Sequence, residues 1–305
     1  MKPIIELKDL TKDYGGGRGI FDVNLTVYEG EMVGFAGTNG SGKTTTIRHM
    51  MGFLRPTRGH AYVNGLDARE HASEIVKDIG YVPGEIAFPD LPTGIDFLKS
   101  QAEFLGVKDM SRADELVAKL QLDPRAGLKR MSKGMKQKTA IVAALMADPK
   151  IIILDEPTTG LDPLMRDAFL EIIRAEHAAG KTIFMSSHMF GELETTCDRV
   201  ALIRDGYVAD VADMQEIHNR KVKEYKIEFY DPADYATAKR LGFTVVRDQP
   251  QYNQITVAVE SARLQAMFAA LKPLQVKFIT ENTYNLERHF KEVLFAQKED
   301  GNHVQ

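Results

Sequence analysis

Gly37-Thr38-Asn39-Gly40-Ser41-Gly42-Lys43-Thr44 follows a short apolar run, Met32-Val33-Gly34-Phe35-Ala36, and leads into Thr44, Ile47, Met50, Met51 and Leu54 at helical spacing. The run reads as a strand covered on both faces, and the later residues as one face of a helix. The glycine-rich stretch between them fits G-x-x-x-x-G-K-[ST] without a mismatch. Glycines let the backbone curl so that several N–H groups point at phosphate oxygens. A helix beginning near Lys43 aims the positive end of its dipole at the same anions. Lys43 is then placed to reach terminal phosphates, and the Thr44 hydroxyl to bind Mg²⁺. Residues Gly37 to Thr45 are therefore expected to bind nucleotide. A plain glycine-rich turn is the bland alternative, and the flanking strand and helix argue against it.

A second apolar run, Ile151-Ile152-Ile153-Leu154, ends in Asp155-Glu156. Acids at the carboxyl end of a parallel strand stand where such sheets bind ligands. Asp155 is expected to hold Mg²⁺ through water, and Glu156 to orient or deprotonate an attacking water. Further strands are expected at Ile4–Leu7, Val23–Val27, Ala61–Val63 and Thr182–Met185, with a turn at Asn64-Gly65. Residues from about Leu91 to Leu145 are rich in Leu, Ala, Lys and Glu and read as mostly helical. Asp162 can cap a helix that Pro163 opens. Strands alternating with helices imply an α/β fold with a mainly parallel sheet.

Three further stretches stand in a fixed order around these two. Met131-Ser132-Lys133-Gly134-Met135-Lys136-Gln137-Lys138 precedes the second strand by about 20 residues; Gly160-Leu161-Asp162 follows it, and Ser186-Ser187-His188 closes the next strand. The set resembles the nucleotide-binding subunit of ABC (ATP-binding cassette) transporters, over roughly residues 4–220. The resemblance implies a P-loop NTPase cassette with a mixed, mainly parallel sheet, an antiparallel subdomain and a helical subdomain at about 91–145. It implies ATP and Mg²⁺ as cofactors. Tyr14 matches the aromatic residue that stacks on adenine; Ser132, Lys133, Gly134 and Met135 match the signature that caps the γ-phosphate of a partner cassette. Asp162 matches the acid linking the two sites, and His188 the switch histidine at the γ-phosphate. Two cassettes, identical or related, are expected to pair head to tail around two ATP molecules and to drive a separate membrane permease.

The sequence departs from the family pattern at the signature and the coupling loop, and to little effect at Thr38, where the family usually has proline. The signature reads Ser-Lys-Gly-Met-Lys where Ser-Gly-Gly-Gln is usual, a version similar to cassettes of the type-2 exporter class. In Ile79-Gly80-Tyr81-Val82-Pro83-Gly84-Glu85, Gly84 stands where the family usually supplies a metal-sensing glutamine, and Glu85 is the candidate substitute. Arg125 to Lys138 holds six basic residues and no acid, either a solvated face or a contribution to ATP or partner binding.

The remaining residues, 221–305, are poor in glycine and carry no catalytic constellation. Their β-α-β-β-α-β pattern suits a small α+β ferredoxin-like domain, read as a dimer-support or regulatory module. Helices are expected at Asp234–Leu241, Ser261–Leu271 and Asn285–Phe295, with Leu264, Met267, Phe268 and Leu271 on one face.

Composition narrows the function. The net charge of −4 offers no general attraction for nucleic acid, and no nucleic-acid partner is expected. A soluble ABC-type machine working on nucleic acid or ribosomes is the competing reading; those usually carry two cassettes or long coiled coils. The single cysteine, Cys197, allows no internal disulfide and suits a reducing compartment. No apolar run approaches the 18–20 residues or so of a membrane span, and acids interrupt the N-terminal stretch where a leader would be apolar. The expectation is a cytoplasmic subunit, peripheral on the inner face of the cell membrane through its permease.

Overall fold

The computed structural model describes residues 1–300, with side chains to residue 295. Strand Met32–Ala36 is buried at all five positions and pairs in parallel with Thr182–Ser187 on one side and Arg199–Arg204 on the other. Ile151–Asp155 adds in parallel beyond Thr182–Ser187, and Ile79–Val82 beyond that. Tyr207–Asp213 closes the opposite edge antiparallel, giving a six-stranded sheet. Met32–Ala36 and Ile151–Leu154 read as unbroken apolar runs because both faces are covered. Parallel pairing sends the chain off the same edge after Ala36, Val82, Asp155 and Ser187. One edge therefore gathers the glycine-rich loop, Gly84, Glu156 and His188.

A second, antiparallel sheet runs in the order Gly19–Tyr28, Pro3–Asp13, Arg58–Val63 and Leu66–Asp67. The turn at Asn64-Gly65 has both residues at positive φ, as a type I′ hairpin requires. Helix Lys43–Met50 is held in the core shared by the two sheets. Ile47, Met50 and Met51 are fully buried beside Leu10, Ile20, Phe35 and Phe184. Each such side chain contributes roughly 1.5–3 kcal/mol, so the start of this helix is firmly fixed. Cys197 is buried, and loss of solvent pushes its thiol up to about 12.

The expected helical segment comprises Gly94–Leu105, Ser111–Lys119 and Lys133–Leu145, with a short 3-10 turn at Leu128–Arg130. Thr93 and Asp96 form a reciprocal capping box at the first of these. Among the described residues no helix is long and apolar enough to cross a membrane.

The chain divides into two compact units. One is Met1–Met214 with residues 293–300, and the other is Gln215–Glu292. The second unit has its own sheet, ordered Thr244–Gln249, Gln254–Glu260, Val222–Phe229, Val276–Asn282, antiparallel throughout. Helices Pro232–Ala238 and Leu264–Leu271 complete the ferredoxin-like order. Two expectations shift here. Ser261–Arg263 is a 3-10 turn ahead of the helix. Phe268 is 47% exposed while Met267 is fully buried. The buried stripe is centred between Met267 and Leu271, and Phe268 lies to one side of it, its ring edge-on to Tyr225. The last helix spans Leu286–Asp300 and is capped by Asn285, whose Oδ1 accepts the Arg288 N–H.

Candidate nucleotide-binding site

The loop between Ala36 and Lys43 ends on Gly42 at φ +115°, where a Cβ would also come within 2.5 Å of Ile20. Only glycine fits that left-handed, crowded cap. Lys43 follows with its side chain folded back over the loop. Its ammonium donates to Gly37 O at 2.6 Å and to Thr38 O at 3.1 Å, and stands 3.0 Å from Glu156 Oε1. The cation is 6% exposed and surrounded by oxygen.

Asp155 and Glu156 leave the strand end in different directions. Asp155 is fully buried; its Oδ1 accepts from Ser186 Oγ at 2.7 Å, while its Oδ2 has no hydrogen-bond partner. Glu156 adopts φ +49°, a conformation that costs a non-glycine residue of order 1–3 kcal/mol. Two hydrogen bonds hold it there: its N–H donates to Ser186 Oγ at 2.9 Å, and its carbonyl accepts from Thr159 N at 3.1 Å. The strained backbone turns the carboxylate toward Lys43 and His188. Glu156 Oε2 lies 2.7 Å from His188 Nδ1, so the carboxylate bridges a cation and an imidazole.

Asn39, Gly40, Gly42, Lys43, Thr44, Thr45, Glu156 and Tyr14 line one cleft of about 440 Å³. Tyr14 is half-exposed on a turn closed by its N–H to Arg18 O at 2.9 Å, with Lys12 Nζ 5.5 Å from its ring centre. Arg18 and Asp205 complete the wall. Sequence reasoning missed both: they sit in turns, where no periodicity marks them. It also left Ser186 without a task, although that one hydroxyl ties Asp155 to the Glu156 backbone.

The signature residues stand elsewhere. Ser132 caps helix Lys133–Leu145, its Oγ accepting from Met135 N at 3.2 Å. A Cβ on Gly134 would come 2.7 Å from Gly160 O, so the helix start packs backbone-to-backbone on the loop that leads to Asp162. Asp162 in turn caps Pro163–Ala178 through Met165 N at 3.0 Å. Ser132, Lys133, Gly134 and Met135 do not line the cleft that holds Lys43.

The family model described as ABC transporter matches residues 20–159, which carry the loop, the signature and the Asp155-Glu156 strand. The bacitracin transport ATP-binding protein BcrA of Bacillus licheniformis is 34% identical over 235 residues, 74% of this chain and 76% of that one. The chain belongs to the ABC transporter ATP-binding subunits. An uncharacterized ABC transporter ATP-binding protein of Bacillus subtilis, YhcH, is 29% identical over 310 residues and spans both chains entirely. Among solved structures, the dimeric post-hydrolysis form of the ATP-binding cassette MJ0796 bound to ADP and Pi aligns with TM-score 0.62 and 26% identity, over 69% of this chain and 99% of that one. The subunit is an ATPase, and its phosphate loop belongs to the matched region.

The donor set of this ABC subunit fits a divalent cation. Asp155 Oδ2 is a buried anionic oxygen with no partner, the kind of orphan a cation or its water satisfies. Thr44 lies at the start of the helix on the cleft wall. Gly84 is beside this carboxylate: a Cβ there would come 3.0 Å from Asp155 Oδ2. Glu85, the candidate substitute for the usual glutamine, is exposed and does not line the cleft. Gly84, and not Glu85, is the residue of this loop that adjoins Asp155.

Proposed function

We propose that this ATPase subunit powers a separate membrane permease, in the direction of export, from the inner face of the cell membrane. The observation that carries the reading is the bridge Lys43–Glu156–His188 across a cleft walled by the phosphate loop. ATP enters with Tyr14 stacked on adenine and with the N–H groups of Gly37 to Thr45 on its phosphates. The γ-phosphate draws Lys43 away from the Gly37 and Thr38 carbonyls, because charge-assisted contacts to phosphate are the stronger ones. Thr44 and Asp155 would hold Mg²⁺, which would supply positive charge beside the phosphates. Glu156 orients the attacking water and takes its proton, and His188 contacts the γ-phosphate. The bond between the β-bridging oxygen and the γ-phosphorus breaks, leaving ADP and phosphate.

Ser132, Lys133, Gly134 and Met135 act on the ATP of a second cassette, identical or related, in a head-to-tail dimer in which Asp162 links the two sites. The dimeric form of MJ0796 supports this reading. Hydrolysis removes the γ-phosphate bridge and lets the dimer reopen. The type-2 character of the signature supports export. The likeness to a subunit named for bacitracin transport supports a transport role.

The permease is proposed to seat an apolar-faced helix in a groove of about 620 Å³ beside strand Ile79–Val82, lined by Tyr81, Pro83, Phe88, Phe97, Phe104 and Ala144 among others. Pro83 lines this groove and the next residue, Gly84, adjoins Asp155. That adjacency supports a short mechanical path from docking to the metal-binding acid. The unit Gln215–Glu292 is proposed to support the dimer or regulate it.

Co-expression with a candidate polytopic membrane permease tests the proposal. The expected outcome is a membrane complex that purifies intact and hydrolyses ATP. A chain that fractionates with ribosomes or nucleic acid and ignores the permease overturns it.

A further inference from the structure

Glu192 lies on the short helix Phe190–Thr196, outside the cleft, and its side chain is 4% exposed. A buried carboxylate is costly unless its oxygens are satisfied. Its Oε2 accepts from Thr158 Oγ1 at 3.0 Å and from Ser187 Oγ at 2.9 Å. Its Oε1 has no hydrogen bond and faces the Arg166 guanidinium only across 3.6 Å. Ser187 Oγ also accepts from Met189 N at 3.0 Å, so both neighbours of His188 are tied down.

These contacts close a ring. Glu156 touches His188; His188 follows Ser187; Ser187 donates to Glu192; Glu192 accepts from Thr158, two residues after Glu156. We propose that Glu192 is a positioning residue for ATP hydrolysis. It holds the loop carrying Glu156 and the loop carrying His188 as one body. The inference rests on the roles given above to Glu156 and His188. Glu192 touches neither nucleotide nor water in this scheme. It acts by fixing how far the base and the histidine stand apart.

The geometry separates this role from simple packing. Gln at 192 keeps a carbonyl acceptor for both hydroxyls, whereas Ala keeps none. Glu192→Ala is expected to lower kcat for ATP roughly 10- to 100-fold, the usual cost of losing an orienting partner, with KM within about threefold. Glu192→Gln restores kcat to within about threefold of the native value. Should Glu192→Ala fail to fold, Thr158→Val with Ser187→Ala removes the same two donors and is read in the same way. A kcat within about twofold of native, or a loss that falls on KM or that Gln does not rescue, overturns the proposal. Glu156→Gln run alongside keeps the two readings apart. If it turns over normally, the base assignment fails; if it is inactive while Glu192→Ala is native-like, only the role of Glu192 fails.

Discussion

His188 Nδ1 stands 2.7 Å from Glu156 Oε2, while Lys43 Nζ stands 3.0 Å from the other oxygen of the same carboxylate. Glu156 is thus held by charge on one side and by an imidazole on the other. Gln at this position keeps the shape and loses the ability to take a proton. Glu156→Gln is expected to lower ATP turnover by about 10²–10⁴-fold, the usual contribution of a positioned base. It retains ATP binding and accumulates as a dimer in ATP. Steady-state phosphate release and size-exclusion chromatography with and without ATP measure the two effects. Turnover close to native removes Glu156 as the base.

Among the described residues Lys43 is the one buried cation beside the phosphate loop, so its loss is not offset by another group lining the cleft at that depth. A hydrogen bond to a charged group is worth roughly 1.5–3 kcal/mol, about 10- to 150-fold in affinity. Lys43→Ala is expected to weaken ATP binding by that factor or to abolish hydrolysis. Equilibrium titration with a fluorescent ATP analogue measures the first, and phosphate release the second. Unchanged binding and turnover together remove Lys43 from the phosphate site.

Much of this site was legible because its chemistry is local in sequence. Gly37–Thr44 and Asp155-Glu156 announce themselves through residue type and a flanking apolar run. Other parts were not legible, for physical reasons. The positive φ of Glu156 is held in part by a hydroxyl 30 residues away, on Ser186. Arg18 and Asp205 reach the cleft from turns, and Glu192 reads as an ordinary exposed helix acid until the fold buries it. The strands Ile79–Val82, Arg199–Arg204 and Tyr207–Asp213 belong to the main sheet, yet they are short or interrupted by charge. Their pairing with better-marked neighbours makes them strands.

His49, on the helix that starts at Lys43, gives a pH dependence with a definite sign. It is 2% exposed, and burial lowers its pKa below the ordinary 6.5. The carbonyls of Thr45, 2.7 Å from Nδ1, and of Arg55 oppose that shift, and Lys12 adds to it. Between the lowered value and 6.5 the unfolded chain binds more protons than the folded one. The stability contributed by neutral His49 is complete above about 6.5 and is lost as pH falls below it. Carboxylates such as Asp67 and Asp148 have values lowered from 3.8 and act only in stronger acid. Tm is therefore expected to fall as pH drops from about 6.5 to 5, and His49→Gln to flatten that limb. An equal slope in His49→Gln assigns the limb to other groups.

Phe104 is 59% exposed on the rim of the groove proposed for the permease, on helix Gly94–Leu105. An exposed aromatic side chain beside Tyr81, Phe88 and Phe97 has apolar area to bury only against a partner. Aromatic anchors of this kind often cost more than about 2 kcal/mol when lost from an interface. Phe104→Asp also brings a carboxylate that the docked helix would have to desolvate. The substitution is expected to weaken recovery of the permease complex by at least about tenfold, while Tm stays within the small range usual for surface changes. Pull-down of the tagged permease at graded subunit concentration, with a thermal melt of the subunit alone, measures both. Native-like recovery of the complex would show that the permease does not use this groove.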